Sequence, residues 1–269
     1  MTARHGSHGL HVEHRRPAAP DGLTFVFFNA LTGDTAQWEA PIAAPLRDAG
    51  HGTLLFNFRG QKGSPLREGA SVDADAIVVD AVEMVRAEAP ARPAHVGLSI
   101  GGLFALQAHL GGAPAEGLLL INTLRKAGPR LEWVNSAVHR AAMVGGGELL
   151  RDLFTPLLAG PAWLAGQRQG FLTAERYEGL DPASGTALLL ASGNSADWDV
   201  PYERVDVPVI VLSGLEDHVF YDAADVRELA RRMPRAERID LPDVGHLIPV
   251  ERPSAVLDAC LMLARRLAG

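Results

Sequence analysis

Cysteine, long apolar runs and basic residues are all scarce in this sequence. The single cysteine, Cys260, excludes a framework of disulfide bonds within the chain and is typical of a reducing compartment. No segment reaches the roughly 20 apolar residues of a membrane-spanning helix. The first residues also lack the apolar stretch of a secretory signal. We therefore expect a cytoplasmic protein that does not associate with membranes.

Acidic residues outnumber basic ones. The chain has 32 Asp and Glu residues against 25 Lys and Arg residues, so its formal net charge is −7. This balance argues against nucleic acid or an anionic membrane as the main partner, because both attract proteins with basic surfaces. The net charge is compatible with a small-molecule ligand and with a homo-oligomer.

Four histidines near the N-terminus raise the question of a metal site. His5, His8, His11 and His14 recur at every third position. Neither strand nor coil geometry brings this spacing onto one face, and no Cys or carboxylate cluster completes a ligand set. We predict a flexible tail that leads into a first strand, with no metal and no cofactor.

Short apolar runs alternate with helical patterns along most of the chain. With 269 residues, 47% of them hydrophobic, the chain can form one large, well-buried domain. The alternation is typical of a mainly parallel sheet with helices on both faces, an α/β fold. The predicted strands are 24–29, 52–58, 94–98, 117–121, 207–213 and 237–241. The predicted helices are 37–49, 73–88, 100–110, 222–233 and 253–267.

The alternation stops between residues 123 and 199, where the pattern is helical and loop-like. An insertion after the end of a strand would cover the crevice in which such sheets bind ligands. We therefore predict a core domain formed by residues 1–122 and 200–269, with residues 123–199 inserted as a helical cap.

The motif GLSIGG at 97–102 lies between a predicted strand and a predicted helix. A serine at such a junction sits on a tight turn, and flanking glycines let strand and helix approach closely. The helix N-terminus behind it would favour a developing negative charge. We predict that Ser99 is a nucleophile; the alternative is a serine that only caps the helix.

A nucleophilic serine needs a base, and the base needs a carboxylate partner. Asp217 follows one predicted strand and His246 follows the next, so their loops should be neighbours at one edge of the sheet. We predict His246 as the general base and Asp217 as the acid that orients it. Glu216 is the nearest rival acid, whereas Asp222 is expected to cap a helix.

An oxyanion formed during acyl transfer needs two backbone N–H donors. We predict that Ile100, directly after the nucleophile, supplies one. Leu31, in the loop after the first buried strand, should supply the other.

These motifs together resemble the α/β-hydrolase superfamily over about residues 20–267. Asn29 and Leu31 followed by Asp34 and Trp38 resemble its 3-oxoadipate enol-lactonase and carboxylesterase branch. The motifs GLSIGG at 97–102, NTLRKAG at 122–128 with Trp133, and LFTP at 153–156 resemble that branch too. The resemblance implies an α/β-hydrolase fold and a hydrolase without metal or cofactor that opens a carboxylic ester or enol-lactone.

Several residues of the insertion are candidates for contact with substrate. Arg125 stands where the insertion leaves the sheet and could pair with a substrate carboxylate; exposed surface is the alternative for it and for Lys126. Trp133, Trp163 and Phe154 could line an apolar pocket, although aromatic residues in a cap also serve packing.

The sequence thus predicts two-step acyl transfer on a small-molecule ester or lactone. The same three residues would serve a C–C bond hydrolase or an acyltransferase. A small-molecule-binding receptor with little turnover is the alternative from another class of protein.

Overall fold

One eight-stranded sheet forms the centre of the protein. The computed structural model of the chain describes residues 4–5, 9–66 and 72–268. The strands are β1 (Arg4–His5), β2 (His11–Arg15), β3 (Thr24–Phe28), β4 (Gly52–Phe56), β5 (Pro93–Leu98), β6 (Gly117–Ile121), β7 (Val209–Gly214) and β8 (Ala236–Leu241). They are arranged in the order β1-β2-β4-β3-β5-β6-β7-β8. The pairs β1–β2 and β2–β4 are antiparallel. The six strands β4, β3, β5, β6, β7 and β8 are parallel to their neighbours.

Helices cover both faces of this sheet. They are α1 (Ala36–Trp38), α2 (Ala44–Asp48), α3 (Ala74–Glu88), α4 (Ile100–Leu110), α5 (Pro129–Leu158), α6 (Pro161–Gln167), α7 (Gly185–Ser192), α8 (Ala223–Arg232), α9 (Ile248–Glu251) and α10 (Pro253–Ala268). A π-helical turn, Glu39–Ala43, joins α1 to α2. In the described part of the chain, no helix combines the length and the apolar composition needed to cross a membrane.

The central strands are apolar because both of their faces are buried. Phe25 and Phe27 of β3 pack with α2 and α10, whereas Val26 and Phe28 pack on the opposite face with α3 and α4. Side chains alternate between the two faces of a strand, so a strand buried on both faces has a continuous apolar run instead of an alternating one. The predicted α/β fold with a mostly parallel sheet is confirmed.

Two aspartates begin helices as their sequence positions suggest. Asp73 accepts a hydrogen bond from the backbone N–H of Ala76 at 2.7 Å, at the start of α3. Asp222 accepts from the N–H groups of Ala224 and Asp225 at 2.9 and 3.0 Å, at the start of α8. These bonds satisfy donors that the first helical turn leaves without a partner.

The segment between β6 and β7 contains α5, α6 and α7. Leu189 and Trp198, from its C-terminal part, are buried in the same apolar cluster as α3 and α4. This segment therefore shares a core with the sheet. Its division from the rest of the chain at residues 123 and 199 stays a prediction.

The prediction of a flexible tail is wrong for three of the N-terminal histidines, since His5 lies in β1 and His11 and His14 lie in β2. His11 pairs with Glu13 at 2.8 Å and His14 with Glu88 at 3.0 Å, both in or beside β2. His8 lies outside the described residues. Within the described ranges, no group of three or more His, Cys, Asp or Glu side chains is arranged to hold a metal ion.

Candidate active site

Ser99 stands on a strained turn between β5 and α4. Its backbone adopts φ 58° and ψ −127°, a left-handed conformation that is costly for a residue with a side chain. Its N–H donates to the carbonyl of Ile121 at 2.7 Å. A Cβ at Gly97 or Gly101 would overlap neighbouring backbone, so only glycine permits this close passage of strand and helix.

Asp217 and His246 form a buried pair at the same edge of the sheet. Oδ2 of Asp217 lies 2.6 Å from Nδ1 of His246, and the two residues are 2% and 6% exposed. Oδ1 of Asp217 accepts from the N–H groups of Val219 and Phe220 at 3.1 and 2.9 Å. The second nitrogen of the imidazole is therefore the one available for a proton from another group.

The Asp217 carboxylate is held in its charged form. Burial opposes its negative charge, but His246 and the N–H of Phe220 outweigh burial, so the pKa of Asp217 lies below its usual value. A charged carboxylate at Nδ1 orients the imidazole and stabilises it when it takes up a proton.

Other acids in and after these two loops are engaged elsewhere. Glu216 pairs with the exposed His218 at 3.2 Å. Asp222 caps α8, and Asp243 pairs with Arg252. Among the described residues, the carboxylate that reaches His246 is that of Asp217.

The hydroxyl of Ser99 is bonded to Arg125 in this conformation. Nη2 of Arg125 donates to Oγ of Ser99 at 2.7 Å and to the carbonyl of Asn122 at 3.1 Å. His246 lines the same cavity. Within the described part of the chain, however, no hydrogen bond links its ring to Ser99. Hydrogen bonds of this kind are often absent before substrate binds.

The side chain of Asn122 connects the end of β7, which precedes Asp217, to the loop that contains His246. Its Nδ2 donates to the carbonyls of Gly245 and His246 at 3.0 and 2.9 Å. Its Oδ1 accepts from the N–H of Gly214, the last residue of β7, at 2.8 Å. Sequence reasoning missed this role; the only signal was an asparagine directly after an apolar strand.

Leu31 and Ile100 both line the cavity beside Ser99. Ile100 is the first residue of α4, where a backbone N–H has no partner inside the helix. The Leu31 loop is fixed by Gln61, whose Nε2 donates to the carbonyls of Ala30 and Leu31 at 2.8 and 3.2 Å. Nδ2 of Asn29 in turn donates a hydrogen bond to Oε1 of Gln61 at 3.0 Å. No motif in the sequence pointed to Gln61.

A cavity of about 360 Å³ opens onto these residues. Most of its lining is apolar, and Phe154 belongs to it together with Leu158 of the same helix. Trp198 and Phe220 also line it, although the sequence did not single them out for this role.

Two predicted pocket residues do not line this cavity. Trp133 lies in the first turns of α5 and is 81% exposed to solvent, and Trp163 is half-buried on α6. Helix α5 reaches the cavity through other residues, such as Phe154 and Leu158, whereas no residue of α6 is among the described residues that line it. Arg125, by contrast, is buried and lines the cavity, whereas Lys126 points outward to Glu228 at 2.5 Å.

The model of the alpha/beta hydrolase family matches residues 25–259, from β3 to the first half of α10. The chain belongs to the alpha/beta hydrolase family. The matched range contains Ser99, Asp217 and His246, and the resemblance stated from the motifs is confirmed at the level of this family.

Known alpha/beta hydrolases share the architecture over nearly the whole chain. An esterase from Thermogutta terrifontis superposes with a TM-score of 0.76 and 20% identity, covering 96% of this chain and 94% of that one. The enol-lactonase from Burkholderia xenovorans LB400 gives a TM-score of 0.72 and 22% identity, covering 95% and 96%. Identities this low establish the fold alone.

One relative is similar in sequence over part of its length. A Variovorax paradoxus (strain S110) protein named as a carbamate hydrolase, RutD, is 33% identical over 118 residues. This match covers 44% of the present chain and 43% of that protein, less than half of each.

Proposed function

We propose that this alpha/beta hydrolase cleaves a carboxylic ester or a lactone of a small molecule, with Ser99 as nucleophile, His246 as general base and Asp217 as its orienting acid. The observation that carries the proposal is the buried pair formed by Oδ2 of Asp217 and Nδ1 of His246, 2.6 Å apart. His246 lines the same cavity as Ser99, which stands on a strained turn. A neutral imidazole held by a carboxylate can take a proton from a serine hydroxyl that comes within hydrogen-bond reach.

The reaction would proceed in two steps through an acyl-enzyme. The hydroxyl of Ser99 leaves Arg125 and transfers its proton to His246 as Oγ attacks the carbonyl carbon. The C–O bond to the leaving group breaks, and His246 gives the proton to the departing oxygen. Water, deprotonated by His246, then attacks the acyl-enzyme and releases the acid and Ser99.

Backbone N–H groups would stabilise the oxyanion in both steps. Leu31 and Ile100 line the same cavity as Ser99. The 11-residue helix α4 begins at Ile100, and its positive N-terminal end would add to the stabilisation.

We propose the helical segment 123–199 as the cap over this site. Phe154, Thr155 and Leu158 of α5 line the cavity together with the catalytic residues. The backbone of Leu158 also accepts a hydrogen bond from the N–H of His246 at 2.5 Å. An apolar cavity of about 360 Å³ suits a small ester or lactone.

A small-molecule receptor with little turnover is the second candidate. The observation that favours it is the bond from Arg125 to Oγ of Ser99, which engages the hydroxyl of the proposed nucleophile. A receptor would bind its ligand without forming an acyl-enzyme.

The experiment that separates the two candidates measures intact-protein mass after exposure to a fluorophosphonate, together with turnover of short esters and small lactones. We expect a single adduct on Ser99 and a loss of turnover of roughly 10³- to 10⁶-fold in Ser99→Ala. The urea unfolding midpoint of the variant serves as the control for an intact fold. Turnover retained by Ser99→Ala would contradict the proposal, and ligand binding without adduct or turnover would favour the receptor.

A further inference from the structure

Arg125 is a buried cation at the nucleophile. The residue is 6% exposed, and its Nη2 donates to Oγ of Ser99 at 2.7 Å. Its Nε is buried and has no hydrogen-bond partner among the described residues. A guanidinium carries five donors in a planar fork, so this one has donor capacity that the protein leaves unused.

Arg125 has no ion pair among the described residues. Burial lowers the pKa of Arg125 to about 10, while the charge of Asp217 raises it, so the side chain stays protonated at neutral pH. Asp217 itself is engaged by His246 at 2.6 Å. A buried charge without a direct counter-charge is costly for the folded protein, which is a reason to look for a counter-charge on the ligand.

Aromatic rings hold the guanidinium in place without neutralising it. Its carbon lies 4.1 Å from the ring centre of Phe220 and 5.2 Å from that of Trp198. Such cation–π contacts orient a cation while its hydrogen-bonding edge stays open. Both rings line the cavity together with Arg125 itself, so a ligand in the cavity would lie against the guanidinium.

The remainder of the cavity reinforces this positive charge. Arg151 is a second guanidinium in the lining, and its buried Nη2 has no hydrogen-bond partner in the described part of the chain. Its Nε contacts Asp152 at 3.1 Å, but Asp152 is not among the residues that line the cavity. The described lining thus contains two arginines and no carboxylate.

We propose that the substrate carries a carboxylate a few bonds from the scissile carbonyl and that Arg125 binds it. This inference rests on the proposed function and names its substrate class: half-esters of short dicarboxylic acids, esters of hydroxy acids, or lactones that bear a carboxylate. Two parallel hydrogen bonds from one guanidinium to a carboxylate give both affinity and orientation.

The spacing supports a carboxylate close to the reacting carbon. A carbonyl carbon poised for attack lies about 3 to 3.5 Å from the nucleophilic oxygen, and Arg125 is 2.7 Å from that same oxygen. A carboxylate on Arg125 would also replace Ser99 as the acceptor of Nη2. The anionic substrate would thereby release the hydroxyl toward His246 as it binds.

Matched charged and neutral ligands test the proposal. Monomethyl succinate and methyl succinamate differ only in a carboxylate against an amide, and acetylglycolate and acetylglycolamide place the same difference on the alcohol side. Binding to Ser99→Ala protein is measured by calorimetry and hydrolysis by the native chain is measured by pH-stat. We expect the charged member of at least one pair to be favoured by about 10²-fold in Kd or in kcat/KM.

Variants assign the preference to Arg125. In Arg125→Met the charged-to-neutral ratio should fall to near one, whereas Arg125→Lys, which keeps a charge but loses the planar fork, should give an intermediate ratio. Lys126→Met is the matched control, because Lys126 is paired with Glu228 outside the cavity, and it should keep the native ratio. The ratio is insensitive to a general loss of active protein, so partial misfolding of one variant does not imitate the result.

Labelling and turnover at Ser99 test the proposed function, whereas the preference for charged ligands tests the carboxylate site, so the failure of one can be told from the failure of the other. No preference for the charged member of either pair, in a protein that labels at Ser99 and hydrolyses the neutral esters, overturns the carboxylate site and leaves the serine hydrolase standing. Tight, Arg125-dependent binding of the charged ligands without labelling or turnover supports the site and contradicts the hydrolase. A preference that survives in Arg125→Met overturns the assignment to this residue.

Discussion

The backbone and the side chain of Asn122 have separate roles in the candidate active site. Its φ of 47° is left-handed, a conformation that asparagine tolerates better than most residues. Its amide joins Gly214 to the carbonyls of Gly245 and His246, and all of these groups are buried. The amide thereby fixes the loop that carries the proposed base relative to the strand that precedes the proposed acid.

Replacement of Asn122 by glycine or alanine separates these two contributions. Both variants leave a buried N–H and two buried carbonyls without this partner, so we expect each to lose about 2 kcal/mol or more of unfolding free energy. Alanine should lose roughly 1 kcal/mol more than glycine, because only alanine pays for the left-handed backbone. We also expect kcat for a reactive ester to fall by about 10- to 100-fold as His246 loses its fixed position. Urea unfolding and steady-state kinetics measure the two effects; an unchanged midpoint in the glycine variant would show that the amide has no structural role.

At the scale of elements, α5 consists of two helical halves that meet at a kink, where the backbone angles of Gly145 and Gly146 are not helical. Gly146 has φ 65° and ψ −161°, a combination that is essentially restricted to glycine. A Cβ there would overlap the carbonyl of Glu178. The kink directs the second half of α5, with Phe154 and Leu158, onto the cavity.

Gly146 and the adjacent helical Gly147 should differ in their response to alanine. Gly146→Ala should destabilise the protein by about 1 to 3 kcal/mol, through backbone strain and overlap with Glu178. Gly147 is helical and has open space where a Cβ would lie, so Gly147→Ala should be neutral or stabilising by up to about 1 kcal/mol. Thermal or urea unfolding of the two variants makes the comparison. Equal effects would mean that the kink is not needed for the fold.

At the scale of the whole molecule, buried histidines make stability depend on pH. Burial lowers the pKa of His95 from 6.5 to about 3. The ring lies inside β5, 5.1 Å from that of Phe28, and its Nε2 has no partner among the described residues. Burial also lowers the pKa values of His51 and His109. These residues are neutral in the folded protein at pH values where the unfolded chain protonates them.

We therefore expect stability to fall as the pH drops from about 6.5 toward 3, since the unfolded state binds protons that the folded state excludes. His95→Leu should reduce the slope of unfolding free energy between pH 5.5 and 4.5 by about 1 kcal/mol per pH unit, the contribution of one such group. Urea titrations in that range avoid the acid titration of Asp217, whose pKa is lowered. The same slope in the variant and in the native chain would contradict a neutral buried His95.

The predicted strands and helices agree closely with the structure, for a physical reason. The strand predicted at 117–121 has these bounds in the structure, and the helix predicted at 253–267 ends one residue later. A parallel strand buried on both faces must be apolar throughout, and an amphipathic helix must repeat near every 3.6 residues. Both requirements act on neighbouring residues, so they can be seen in the sequence.

By itself, the sequence determined the fold family and the residues proposed for the chemistry. Ser99 stands in a local motif, and Asp217 and His246 follow consecutive strands, so chain order alone brings them to one edge of the sheet. Only the tertiary structure decided which side chains of the inserted segment meet the cavity. It buried Arg125 between Phe220 and Trp198 and left Trp133 exposed, because the direction of those side chains depends on contacts between residues far apart in the chain.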